Sequence, residues 1–250
     1  MPVTVASLAF APVKSMRLAS AEAVEIGPGG VAGDRAFLVV DEANALLLSA
    51  RTPALLQVVA RMEDGVLALT FPGGREVAAV PEPGAQAVTA NYAGRPIAGR
   101  IVEGEHAAAL SEFLQRPVRL LARDAGERGA DDAPVTIMSE ASLTALGVPD
   151  GRRFRMSITL DGVEAWEEHG WGGRELAVGE AVLRVTEPVP RCVVTTRDPE
   201  RGRRDAPTLK RLAELRGKRD VTFGMWCEVL APGRVRVGDE AWLTASGSSA

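Results

Sequence analysis

Short runs of β-forming residues, each closed by a glycine- or proline-bearing turn, fill the first hundred residues and constrain the fold more than any other feature. The runs fall at residues 3–10, 22–26, 35–41, 66–70, 75–80 and 96–102, and Gly27-Pro28-Gly29-Gly30, Asp64-Gly65 and Pro72-Gly73-Gly74 punctuate them. Many short strands at this spacing predict a small β barrel or sandwich. The 26 glycines and 16 prolines supply turns without reaching the share of a low-complexity chain. Residues 27–33 read as a turn, because the strand, helix and acidic partner of a dinucleotide fingerprint are missing.

Beyond residue 100 the pattern changes. Ala107, Leu110, Phe113 and Leu114 fall on one face at helical spacing and predict a helix over 105–115. The polar, glycine-bearing stretch 123–132 then breaks the pattern and reads as a linker or exposed loop between two β-rich units, residues 1–120 and 121–250. Ser139 offers a helix N-cap after an extended 135–137, Glu140 suits the first turn, and Gly147 ends the helix. A further helix is expected near 208–215, and strands at 155–160, 181–186, 193–196, 227–230, 235–237 and 241–244. The tail 245–250, rich in Ser and Gly, is expected to be mobile. The fold class is therefore mainly β with a few helices.

Charge and motifs narrow the function. A net charge of −4 provides no global field for nucleic acid or anionic lipid. The apolar-leaning opening at 3–13 is shorter than the ~20 residues of a membrane span and lacks a basic flank, so a cytoplasmic protein without a membrane segment is expected. P-loop, zincin and nucleophile-elbow motifs are absent. Neither His106, expected to be solvated on its helix, nor His169 has a Ser or Cys motif around it to complete a triad. Lys14 is the only lysine in the first 209 residues of an arginine-rich chain, and it sits in a Pro-Val-Lys-Ser turn. Two cysteines make no disulfide framework and no Cys-x-x-Cys pair. Cys192 follows Pro188, Pro190 and Arg191, opens an apolar run, and has a neighbouring cation that favours thiolate, the form that ligates soft metals. A buried core thiol is the competing reading there, whereas Cys227 reads as core.

Taken together these residues resemble a family: bacterial proteins with an N-terminal β-barrel domain followed by a MOSC domain, related to the mitochondrial amidoxime-reducing component. The resemblance rests on Phe10 to Ser15, Gly33-Asp34-Arg35-Ala36-Phe37, Arg51-Thr52-Pro53, Ala133-Pro134 to Leu143, Arg153-Phe154-Arg155 and Trp171. It continues through Arg191-Cys192, Thr195-Thr196, Asp198-Pro199, Phe223-Gly224 and the element from Gly233 to Asp239, all in family order.

The resemblance implies a molybdenum cofactor, a pterin whose dithiolene grips the metal and whose phosphate tail needs cations. On that reading Cys192 is the metal ligand and the catalytic position. Lys14, Ser15, Arg35 and Arg155 hold the anion, and Arg191 and Ser157, the latter standing where relatives often carry Asn, contribute further cofactor contacts. The implied activity is reduction of small N-hydroxylated compounds. Two cysteines cannot hold a ferredoxin-type cluster besides a molybdenum ligand, so electrons are expected from a separate ferredoxin or flavin-reductase-type protein. The alternative is a non-catalytic cofactor carrier, or a protein that handles sulfur as a Cys192 persulfide.

Overall fold

The structure, a computed structural model, describes residues 2–92, 94–124, 132–148 and 150–244. Most of the expected linker (125–131) and the tail 245–250 lie outside the described residues. In chain order the first half holds β1 (Val3–Phe10), β2 (Ala19–Ala21), β3 (Ala23–Gly27), β4 (Gly30–Val31), β5 (Phe37–Val40), β6 (Val59–Glu63), β7 (Val66–Thr70), β8 (Glu76–Ala79), β9 (Pro83–Tyr92), β10 (Arg95–Val102), helix α1 (Glu105–Leu114) and β11 (Arg119–Arg123). The second holds β12 (Val135–Ser139), α2 (Glu140–Leu146), β13 (Ile158–Asp161), β14 (Glu175–Val178), β15 (Ala181–Pro190), α3 (Thr208–Arg216), β16 (Thr222–Ala231), β17 (Gly233–Arg236) and β18 (Glu240–Leu243).

Seven strands close into a barrel in the order β13-β12-β16-β15-β14-β18-β1, because β1 pairs with both β18 and β13. The first strand of the chain thus completes a sheet built from the second half. Its inward residues Val5 and Leu8 join Ile137, Leu160, Leu183 and Met225 in one core, a bulge between Val5 and Ser7 resetting the two-residue period of the strand between them. The other half packs β5-β11-β10-β9 and β6-β7-β8 around a second core. There Leu110 of α1 meets Leu67, Leu69 and Leu120. The expected boundary at residue 121 falls inside β11, which pairs with β5 and β10, so the first sheet runs on to Arg123.

Several expectations hold. Ser139 caps α2 by accepting from the Ser142 amide, and Gly147 ends it with φ 68. Gly27 and Gly30 pair across a tight turn between β3 and β4. Others fail for identifiable reasons. The run 193–196 is not a strand but a 3-10 turn: the Thr195 and Thr196 hydroxyls donate to the carbonyls of Cys192 (2.9 Å) and Val193 (2.7 Å) and hold the chain curled. Side-chain bonds of this kind compete with sheet pairing. His106 is buried rather than solvated, its Nε2 2.7 Å from the Leu67 carbonyl. Strand β9 gave no signal because it lies at the edge of its sheet beside β10 and buries only Ala90, so it lacks an apolar alternation.

His169 pins an irregular part of the barrel. Its Nε2 accepts from the Gly224 amide at 3.1 Å, where β16 turns through φ 69 and a Cβ would stand 2.6 Å from the Ile137 carbonyl oxygen. Burial first, then the Arg216 charge, lowers its pKa from an ordinary 6.5 to about 4. Between those two pH values the unfolded chain binds a proton that the folded chain refuses, so stability falls as pH drops through that window. His169→Gln keeps an acceptor for Gly224 without titrating. Denaturant midpoints at pH 7 and pH 5 should therefore show a smaller loss in the variant than in the wild type; equal losses would exclude His169 as the source.

Candidate functional site

Two loops reach one end of the barrel because β1 and β13 are antiparallel neighbours. Leu8 lies opposite Ile158, and the Ala9 amide donates to the Ser157 carbonyl at 3.0 Å. The chain leaving β1 therefore runs beside the chain entering β13, and Lys14-Ser15 meets Arg155-Met156-Ser157. The Arg155 Nη1 donates to the Met16 carbonyl at 2.8 Å and ties the two loops together.

The first loop is held from beneath. Val13 and Met16, both fully buried, enter the core of the first half, and the Lys14 amide donates to the Phe37 carbonyl at 2.9 Å. Lys14 is only 5% exposed, and its ammonium lies 4.6 Å from the centroid of Tyr92, a favourable cation–π arrangement. The Arg35 amide binds the Ala11 carbonyl at 2.7 Å. Asp34 receives the Ala11 amide at one carboxylate oxygen and pairs with the Arg35 guanidinium at the other.

Ser15, Arg35 and Arg155 share an unusual backbone, with φ of 72, 51 and 58. The left-handed region is sparsely populated by side-chain-bearing residues and costs of order 1–3 kcal/mol each, and such residues cluster at functional sites. Ser157 is buried, its amide donating to the Thr136 hydroxyl at 2.9 Å.

From the opposite side comes the Cys192 turn. Cys192 is exposed and stands as the cap residue of the 3-10 turn Val193–Thr196, with extended backbone (φ −116, ψ 179). Arg153, 3% exposed, donates to the carbonyls of Thr195 (3.3 Å) and Arg197 (2.9 Å) and to the Asp205 carboxylate (3.1 Å), which fixes the far end of the turn. Arg191 fixes the near end. Its guanidinium donates to the carbonyls of Phe154 (2.9 Å) and Phe223 (2.8 Å) and lies 5.4 Å from the Phe154 ring centroid. Arg191 thereby ties the Cys192 turn to β16 and to the 3-10 turn that ends at Phe154.

All seven residues singled out from the sequence, Lys14, Ser15, Arg35, Arg155, Ser157, Arg191 and Cys192, line one cavity of about 220 Å³. Tyr92, Ser49, Thr136 and Arg153 line it too and were missed as site residues. The single tyrosine of the chain, in a strand whose pattern is unreadable, offered no periodic signal. Among the described residues no group of three or more His, Cys, Asp or Glu side chains stands ready to hold a metal. The cavity presents one thiol and several cations, the buried Lys14, Arg35 and Arg153 among them, while its two carboxylates, Asp34 and Asp132, are paired with Arg35 and Arg95, a combination suited to an anionic ligand whose metal carries donors of its own.

The MOSC N-terminal beta barrel domain family matches residues 2–117, and the MOSC domain family matches residues 124–242. Mitochondrial amidoxime reducing component 2 of Rattus norvegicus is 27% identical, across 96% of this chain and 82% of its own length. The figures for mitochondrial amidoxime-reducing component 1 of Mus musculus are 28%, 96% and 82%. Molybdenum cofactor sulfurase of Danio rerio is 26% identical over 89% of this chain and 31% of its own. Two family matches that leave few residues unassigned, on a fold dominated by strands and a closed barrel, make this chain a member of the MOSC-domain family that carries the MOSC N-terminal β-barrel domain.

Proposed function

We propose that the protein is a molybdenum-dependent oxidoreductase that reduces small N-hydroxylated compounds with electrons from a separate ferredoxin or flavin-reductase-type donor. The observation that carries this reading is a single exposed thiol, Cys192, on the same cavity as the buried cations Lys14 and Arg35. The donor set fits the molybdenum cofactor. One thiolate cannot hold a metal alone, but it complements a metal that arrives with a dithiolene, and the cations match an anionic tail. Relatives named for amidoxime reduction and for molybdenum cofactor sulfuration favour the same ligand.

When bound, the cofactor supplies two-electron oxygen-atom transfer, so that an N–OH group, two electrons and two protons give N–H and water. The chain's own contribution is positional. Arg153 and the Thr195 and Thr196 hydroxyls hold the turn that presents the Cys192 Sγ. Lys14, Ser15, Arg35, Arg155 and Ser157 provide donors for the anionic part, and the left-handed backbone at three of them aims those donors before the ligand arrives. A second reading, a cofactor carrier or a sulfur-handling protein, is favoured by the exposure of Cys192, which leaves room for a persulfide. Turnover separates the two. Protein loaded with cofactor and supplied with reduced viologen should reduce benzamidoxime; a loaded protein that does not would be a carrier.

Cys192→Ser should lose molybdenum and turnover, because oxygen is a poorer match than sulfur for this metal. Cys227 is fully buried and its thiol is pushed far above the ordinary range by burial alone. Cys227→Ser should keep both metal and turnover while losing ~1–3 kcal/mol of stability for the buried hydroxyl. Metal analysis and denaturation of the two variants check this; unchanged metal in Cys192→Ser would remove the ligand assignment. With NADH or NADPH in place of viologen, no steady turnover is expected, and its appearance in protein free of other reductases would reveal an electron-entry site in this chain.

A further inference from the structure

The segment that follows the Cys192 turn departs sharply from the charge of the whole. Residues 201–219 carry eight Lys or Arg against two acids, in a chain of net charge −4, and include two of its three lysines. The segment is fastened to the turn itself. The amide of Asp205 donates to the Thr196 carbonyl at 3.0 Å, the Thr208 hydroxyl to the Thr195 carbonyl at 2.8 Å, and Arg204 bridges to Arg197.

Six of its eight cations face solvent; Arg211 and Arg216 are half-buried, the first bonded to the Gly147 carbonyl and the second paired with Asp220 at 2.9 Å. Arg201, Arg203, Arg204 and Lys210 are exposed. Lys210 makes a loose pair with Glu214 at 3.8 Å, and none of the three arginines makes an ion pair among the described residues. The nearby acids are engaged elsewhere: Glu200 pairs with Arg152 at 2.9 Å, and Asp198 accepts the amides of Glu200 and Arg201, which lower its pKa. An open groove here is lined by the apolar Val193, Ala206, Pro207 and Leu209 together with Thr196, Arg204 and Asp205. Leu215 of α3 is 58% exposed.

We infer that this face is the docking surface for an acidic electron-transfer protein, an inference that rests on the function proposed above. Exposed apolar side chains mixed with charged ones suit a protein interface, and electron-transfer contacts are small, weak and steered by charge. A nucleic acid fits less well, because no aromatic side chain lines the groove on which a base could stack. The position suits electron delivery, since Val193 and Thr196 in the groove wall belong to the turn that Cys192 caps.

The test compares wild type with an Arg201→Glu, Arg203→Glu, Arg204→Glu variant, and with the same three positions changed to Ala. Binding of a purified acidic ferredoxin is measured directly at low and high salt, on protein with and without cofactor. The wild type should bind at low salt and lose binding as salt rises. The Glu variant should bind about ten-fold more weakly or worse, the Ala variant should fall between, and ferredoxin-driven turnover should follow binding. Viologen-driven turnover should be the same in all three. Equal binding by all three proteins, no salt-dependent binding by the wild type, or tighter binding of a single-stranded oligonucleotide than of ferredoxin at this face would overturn the inference. Loss of viologen-driven turnover in the wild type would instead count against the proposed function, and the binding measurement would still decide the docking surface.

Discussion

Everything at the cavity depends on one antiparallel pairing. The register that sets Leu8 against Ile158 closes the barrel and, in the same act, brings residues more than a hundred positions apart to one end of it. A shift by one residue would turn Val5 and Leu8 out of the core and Lys14 away from Arg155. The bulge between Val5 and Ser7 lets β1 follow the curvature while keeping both residues inward. Barrel closure thus gathers the two loops, and the core of the first half, which takes in Val13 and Met16, holds the Lys14 loop in place.

Closure alone would not keep charges out of water. Removing an ammonium or guanidinium from solvent is costly unless its donors are satisfied. Here the cost is met locally: Tyr92 beneath Lys14, Asp34 against Arg35, the Met16 carbonyl for Arg155, and the carbonyls of the Cys192 turn for Arg153. An anion entering the cavity meets donors whose desolvation has already occurred, which is the condition for tight binding of a charged group without a large rearrangement.

The sequence displays its chemistry more openly than its topology. The β runs, the Ser139 and Gly147 caps and the Cys192 locale were all visible in local pattern. The union of β1 with the second half was not, because pairing across such a separation leaves no trace in spacing. Val193-Val194-Thr195-Thr196 looked extended because β-branched residues favour strands, and only the contest between hydroxyl and ladder bonds decides otherwise. Tyr92 and Arg153 were overlooked for different reasons. The first belongs to an edge strand with almost no buried face, and the second is a buried arginine whose partners, the Thr195 and Arg197 carbonyls and the Asp205 carboxylate, are supplied by a loop distant in sequence.

The left-handed backbone at Ser15, Arg35 and Arg155 sets the site's interests against those of the fold. Glycine at any of the three would relieve the torsion and delete the very group that faces the cavity. A lineage selected only for thermal robustness would drift toward such replacements, keeping the barrel while emptying its chemistry. Backbone comfort and a furnished cavity are thus traded directly at these three positions, and a chain relaxed at all of them would keep its barrel behind a barer cavity wall.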